Sequence, residues 1–170
     1  VGVSCVNALS DHMVAEIHRE GKIFKQEYSK GKPLYDVKVV GDSQDTGTTI
    51  TFHPDPEIFR VTTIYDYDIL ATRLRELAFL NKGVRLNLRD ERLSEIVGDE
   101  SSEVVEGHRE DSFYSEKGLE EFVAFLDGTR ERLTESPICL ETDKIIPIEI
   151  ALQYNTGFSE NVHSYVNNIN

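Results

Sequence analysis

The dipeptide Glu20-Gly21 constrains the fold of this chain more than any other feature. It separates two β-like runs, residues 13–19 and 22–28. A two-residue link containing glycine between such runs is a strong short-range signal for a hairpin. The neighbouring residues then add strands or cover an apolar face. Gly31-Lys32-Pro33 marks a second turn, 34–40 reads as a third strand, 41–47 as a polar loop, and 48–53 as a β-branched fourth strand. Pro54 and Pro56 end that strand, because proline cannot donate to a ladder. Ahead of the hairpin, Val3, Val6 and Leu9 recur at three-residue spacing, as on a short helix.

Downstream, the spacing of Leu70, Leu74, Leu77 and Ala78 predicts an amphipathic helix over 67–81, with Asp66 as N-cap and Gly83 just past its end. Residues 84–89 alternate as a half-buried strand, and Phe113-Tyr114 resumes a strand. Leu119, Phe122, Val123 and Leu126 form one face of a second helix, closed by Asp127-Gly128. Residues 138–141, 145–154 and 161–169 read as three strands of a second sheet. Between 91 and 111 the pattern breaks: eight acids stand against two arginines. Such a run reads as a solvated loop or a hairpin extension, with an acidic docking segment as the functional alternative. Grouped strands and helices of this kind predict an α+β architecture, with a boundary near 115–118.

Charge narrows the function. Eighteen Lys+Arg against thirty-one Asp+Glu give −13. That excludes a generic basic nucleic-acid binder, whose affinity comes from cations on phosphates, and it argues against an anionic membrane surface. No apolar run approaches the roughly 20 residues of a membrane helix. Cys5 and Cys139 read as free, buried thiols in a reducing compartment, and no Cys/His cluster suggests zinc. The chain opens on Val1, and Met13 is its single methionine, so a longer polypeptide upstream is expected.

Several residues could carry chemistry. In Val1-Gly2-Val3-Ser4, a glycine at the start of a helix lets backbone N–H groups approach an anion, for which phosphate is the natural ligand; the same glycine also serves as a cap or turn. Thr46-Gly47-Thr48 offers hydroxyls to a ligand, or simply begins a strand. Arg19 pairs with Glu16 or Glu20, or stands as a cation at a pocket rim. His53-Pro54-Asp55-Pro56-Glu57 suits metal ligation or a stiff extended corner. His12, His18, His108 and His163 have no partners at metal-ligand spacing.

Longer runs carry a resemblance. Val-Gly-Val-Ser-Cys-Val-Asn-Ala-Leu-Ser (1–10), Arg-Glu-Gly-Lys (19–22), Thr-Gly-Thr-Thr-Ile-Thr-Phe (46–52), Arg-Leu-Arg-Glu-Leu-Ala-Phe-Leu-Asn (73–81), Glu-Ile-Ala-Leu-Gln-Tyr (149–154) and Tyr-Val-Asn-Asn-Ile (165–169) follow in one order. Together they resemble the ATPase (B) subunit of type IIA topoisomerases across essentially the whole chain. The gyrase branch is nearer than the topoisomerase IV branch. The resemblance implies that 1–116 is the C-terminal part of a Bergerat-type ATPase sandwich. It implies that 117–170 begins a ribosomal-protein-like βαβ transducer domain.

By the same resemblance, Val1, Gly2 and Val3 match lid positions whose amides meet the ATP phosphates. Thr48 matches the threonine bonded to the adenine region through a carboxylate and water. Ile50 matches an apolar wall under the adenine, Arg19 matches a rim arginine that aminocoumarins contact, and Asn7 is structural. The family's catalytic glutamate, magnesium-binding asparagine and adenine-reading aspartate fall before Val1, and the γ-phosphate lysine beyond Asn170. No catalytic or metal residue is therefore expected here. ATP and Mg2+ are implied for the full-length parent and not for this piece alone. The implied partners are the gyrase A protein, DNA and a second gyrase B protein on ATP binding, in the cytoplasm and without a membrane. The competing reading is a non-enzymatic α+β interaction domain whose acidic loop docks a basic partner.

A solvated 91–111 segment has a measurable consequence. Limited proteolysis should cut first inside it and leave both flanking pieces intact. Shortening it to a tight turn should change stability by about 1 kcal/mol or less, because loop-closure entropy grows slowly with length.

Overall fold

Strand β1 (Ser10–Arg19) lies between two antiparallel partners, β2 (Lys22–Ser29) and β5 (Gly47–Pro54), in a computed structural model that describes residues 2–95 and 106–169. Glu20 and Gly21 both have positive φ, 55° and 76°. Two such residues form the turn whose twist matches that of the strands it joins. Lys30-Gly31 repeats the device and leads into the short β3 (Lys32–Pro33), while β4 (Lys38–Asp42) pairs further along the same outer edge of β2. The sheet order is β3-β2-β1-β5, with β4 off this path. Helix α1 (Gly2–Ala8) precedes β1. The predicted strand at 34–40 is corrected: the ladder breaks at 34–37, where the Gln26 side chain takes the Tyr35 carbonyl at 2.9 Å. Leu34, Val37, Val39 and Val40 are all exposed, so no buried face pins a continuous register there.

The chain packs as two compact units, Val1–Tyr65 and Asp66–Asn170. In the first unit, polar groups meet where α1 ends. Ser10, 1% exposed, donates through Oγ to the Val6 carbonyl at 2.6 Å and accepts at its own carbonyl from the Lys30 amide at 3.0 Å. Asp55 is buried; its amide donates to the Leu9 carbonyl at 3.0 Å and its Oδ1 accepts from the Glu57 amide at 2.9 Å. Lys30 Nζ lies 3.2 Å from Asp55 Oδ2 and 2.6 Å from Glu57 Oε2. The Glu57 amide, and then Lys30, hold the Asp55 carboxyl below its ordinary value.

The second unit opens with α2 (Tyr67–Leu80), capped by Asp66, whose Oδ1 accepts from the Ile69 amide at 3.0 Å. Its buried stripe is Tyr67, Ala71 and Ala78, with Leu74 half-buried beside them. They pack with Phe113, Leu86 and Leu88 of the hairpin β6 (Leu86–Glu95) and β7 (Glu106–Phe113). Both strands reach further into the acidic run than predicted, and its middle, 96–105, lies outside the described residues.

Helix α3 (Leu119–Asp127) follows. Gly118 before it has φ +63°, and a Cβ there would stand 3.2 Å from the Phe79 carbonyl oxygen, so another residue would be both strained and crowded. Phe79 stacks on Phe122 at 5.2 Å and meets Phe125 at 5.4 Å, joining α2 to α3. Strands β8 (Ile138–Thr142) and β9 (Ile148–Leu152) form a second hairpin. The third strand predicted at 161–169 is corrected: that segment forms a single bridge, Val166 with Ile169, around Asn167 and Asn168 at φ 50° and 65°. Positive φ at two successive residues makes a tight turn there, so 161–169 does not run on as one strand. The α+β class holds. Among the described residues no helix is long and apolar enough to cross a membrane.

The closing segment is fastened to α2. Tyr165 Oη donates to Glu76 Oε1 at 2.5 Å, Arg73 pairs with Glu76, and Arg73 Nη2 donates to the Asn168 carbonyl at 2.7 Å. Asn168 Nδ2 donates to Asn81 Oδ1 at 2.9 Å. Burial, and then the Glu76 bond, push the Tyr165 hydroxyl from 10.0 up to about 12. The Tyr165 bond, and then Arg73, hold the Glu76 carboxyl below its ordinary value. A raised folded-state pKa gives stability that is whole below the unfolded value and lost as pH rises through the folded one; a lowered carboxyl gives the reverse on the acid side. Urea midpoints should therefore fall between about pH 10 and 12, and also as pH drops through the depressed Glu76 value. Tyr165→Phe should shrink the alkaline limb, to which Tyr35 and Tyr67, also raised, contribute, and cost about 1 kcal/mol at pH 7, the low end for a bond to a charged group because the pair still meets water.

Candidate functional site

The register of β1 against its neighbours decides which side chains share a face. Ile17 stands opposite Thr48, Ala15 opposite Ile50 and Met13 opposite Phe52. On the other edge, Ile17 faces Phe24, Ala15 faces Gln26, and Met13 faces Tyr28. Side chains alternate along a strand, and directly opposed residues point the same way. One face therefore carries Met13, Ala15, Ile17, Phe24, Gln26, Tyr28, Ile50 and Phe52, with Thr48 among them and Arg19 at the end of β1. The opposite face carries Glu16, His18, Lys25, Glu27, Thr49, Thr51 and His53.

The first face suits a flat, mostly apolar ligand with a polar edge. Met13 is 3% exposed, Ala15 and Ile50 are half-buried, and the Thr48 hydroxyl is exposed beside them. A planar base can lie against Ile50 and Ala15 while its edge meets the Thr48 hydroxyl, which both donates and accepts. Arg19 Nε donates to Glu20 Oε1 at 3.0 Å, with the two side chains 73% and 70% exposed. So open a pair contributes little to stability and leaves the guanidinium available at the rim.

Sequence reasoning placed Arg19, Thr48 and Ile50 at candidate positions, and the register brings these three onto one face. Gly2 and Val3 stand apart from that face on α1, both exposed, and a Cβ built on Gly2 would meet nothing within 4 Å. Val1 lies outside the described residues. Asn7, given a structural role, is half-buried and its Oδ1 is buried without a hydrogen-bond partner.

The His53–Glu57 run forms the stiff corner. His53 Nδ1 lies 3.0 Å from Asp11 Oδ1, whereas Asp55 turns to Lys30 and the Glu57 amide. Among the described residues no three His, Cys, Asp or Glu side chains gather as metal ligands. Cys5 and Cys139 are both exposed rather than buried: Cys5 sits on a helix with no buried residue and Cys139 on an exposed two-stranded hairpin. The polar junction of Ser10, Lys30 and Asp55 was missed. The Pro-Asp-Pro sequence, which fixes Asp55 between two rigid φ angles, was its one available sign.

Known proteins are similar to this chain in sequence and fold. A family model described as DNA gyrase B matches residues 118–170. The chain is 55% identical over its whole length to the DNA gyrase B protein of Eisenibacter elegans, of which it covers 34%. It is 47% identical to the DNA gyrase B protein of Halalkalibacterium halodurans, of which it covers 25%. The structure of the 43K ATPase domain of Thermus thermophilus gyrase B in complex with an aminocoumarin matches with a TM-score of 0.76 at 30% identity, over 93% of this chain and 40% of that one. The chain spans about a third or less of the length of these curated relatives. Identity of this level along every residue, together with the fold of the ATPase domain, shows that the chain belongs to the DNA gyrase B family.

Proposed function

We propose that this chain supplies one wall of the ATP pocket of a gyrase B protein and the start of the segment that relays nucleotide state onward. The observation that carries the reading is the shared face of Thr48, Ile50 and Arg19 on β1 and β5. In this reading Ile50 lies under the adenine, Thr48 bonds its polar edge, and Arg19 stands at the rim. Val1, Gly2 and Val3 turn backbone N–H groups to the phosphates. Residues 1–116 belong to the ATPase domain and 117–170 to the transducer. The family match beginning at residue 118 supports that division, which concerns lineage and differs from the packing division at Tyr65 and Asp66.

ATP with Mg2+ supplies the reactive phosphoanhydride and its charge neutralisation when bound to the whole gyrase B protein. This chain's own residues hold and orient the nucleotide, and the family resemblance puts the base and the metal ligand before Val1. The parent, with the gyrase A protein and DNA, couples ATP hydrolysis to strand passage and supercoiling in the cytoplasm, and two gyrase B proteins associate on ATP binding. Reconstitution of the whole gyrase B protein with gyrase A should introduce supercoils in an ATP-dependent way. Decatenation without supercoiling would instead indicate the topoisomerase IV branch.

Two outcomes test the pocket. In the whole protein, Thr48→Ala should weaken ATP binding by about 1–2 kcal/mol, the cost of a buried bond left unmade. Gly2→Val should leave the fold intact, since the space beside Gly2 is open, and should damage phosphate binding more than Thr48→Ala. A normal KM and kcat for ATP in the Gly2 variant would refute the lid assignment. The 170-residue chain alone should show no ATPase above background and only very weak nucleotide binding by calorimetry; a micromolar Kd would contradict that.

A further inference from the structure

The C-terminal end of α1 is held in a closed ring of bonds. Leu9 and Ser10 follow the helix directly, and both of their carbonyls are taken. The Asp55 amide donates to Leu9 and the Lys30 amide to Ser10, each at 3.0 Å. The Lys30 side chain closes the ring, with Nζ 3.2 Å from Asp55 Oδ2. Ser10 and Asp55 are 1% and 3% exposed, and a buried polar network with its members satisfied is rigid. From this ring the Ser10 side chain reaches back into the helix, where Oγ donates to the Val6 carbonyl at 2.6 Å. The Lys30-Gly31 turn lies against the same end: Gly31 has φ +80°, and a Cβ there would stand 3.4 Å from Ala8 Cα.

Within this chain α1 buries no residue of its own, so the bonds at this end set its direction. Direction matters through leverage. Gly2 stands at the far end of the helix from Ala8, about 9 Å away at 1.5 Å of rise per residue. A tilt of about 10° at the ring therefore carries the Gly2 and Val3 amides through about 1.5 Å. A misplacement of about 1 Å in a ligand-positioning group is enough to lower a rate by about a hundredfold.

We propose that Ser10, Lys30 and Asp55 are positioning residues for the nucleotide phosphates: they hold α1 at the angle at which the Gly2 and Val3 amides meet them. This rests on the phosphate role given to those amides under the proposed function, and it adds the residues that aim them. The three act through the helix and not by contact with the nucleotide. The adenine side is built separately, by the pairing of β1 with β5 that places Thr48 and Ile50. Loosening the ring therefore costs phosphate binding and spares the base.

Calorimetric titrations of the whole gyrase B protein test this with two probes, the non-hydrolysable ATP analogue AMP-PNP and adenosine, which has no phosphate. Ser10→Ala should raise the Kd for AMP-PNP at least tenfold and leave that for adenosine within twofold. Ser10→Thr, which keeps the hydroxyl, should restore AMP-PNP binding. Lys30→Met alters a side chain that is 48% exposed; it should weaken AMP-PNP in the same selective way, and it decides the matter if Ser10→Ala does not fold. Equal weakening of both probes would mean that the ring merely stabilises the sheet, and unchanged AMP-PNP binding would mean that α1 is aimed from elsewhere; either result overturns the proposal. Gly2→Val separates the two levels. If it weakens AMP-PNP and the ring variants do not, the role of the ring alone is refuted; if it has no effect, the phosphate role of the amides falls and the role of the ring with it.

Discussion

Directional polar bonds position much of each unit of this chain, whose described residues bury few large apolar side chains. The buried hydrophobic side chains among the described residues are Met13, Tyr67, Ala71, Ala78, Phe113 and Phe122. Two of these are alanines, whose burial contributes little beside that of a leucine or phenylalanine. Geometry in each unit is therefore set largely by polar groups that are satisfied in one arrangement. In the first unit, Ser10, Lys30 and Asp55 tie the end of α1 to both ends of the sheet's central hairpin. In the second, Arg73, Glu76 and Asn81 hold the segment that ends in Asn168 against α2. Directional bonds specify position more sharply than apolar contact does, at the cost of desolvating each member.

What was legible in the sequence follows from this balance. Local chemistry that acts within a few residues was read correctly: the Glu20-Gly21 turn, the Asp66 cap on Ile69, the glycine closing α3. Patterns that depend on a partner were not. Residues 34–40 and 161–169 have strand-like composition, but a strand needs a neighbour for its backbone, and none is supplied along their full lengths. The helix face was half right for the same reason. Ala71 and Tyr67 are buried on the β6–β7 side, whereas Leu70 and Leu77 remain half-buried; hydrophobicity marks a face, and the packed neighbour chooses the residues within it.

The candidate nucleotide face was readable to a different degree. Thr48 and Ile50 sit two apart on one strand, so their shared face is fixed by the period of the backbone alone. That Arg19 joins them depends on the β1–β5 register, which pairs Ile17 with Thr48 and not with Thr49. A slip of one residue would send Thr48 and Ile50 to the face of Glu16 and His18. Nothing local to 46–52 specifies that register. It runs unbroken from His12–His53 to His18–Gly47 and shifts only beyond His12, where Ser10 pairs with Pro54 and the Asp55 amide meets the Leu9 carbonyl.

This gives the family resemblance a physical content. Of the runs that carry it, 19–22 is a turn made with two positive φ angles, and 46–52 is the strand whose register places the candidate pocket residues. Runs 73–81 and 165–169 lie in the other unit. They are bonded to each other instead, through Arg73 to Asn168, Glu76 to Tyr165 and Asn81 to Asn168. Some recognisable residues are thus recognisable because they bind one another. Motif membership alone therefore gives Arg73 and Glu76 no role in nucleotide chemistry; the partners seen are Asn168 and Tyr165. Their bonds fasten the closing segment to α2.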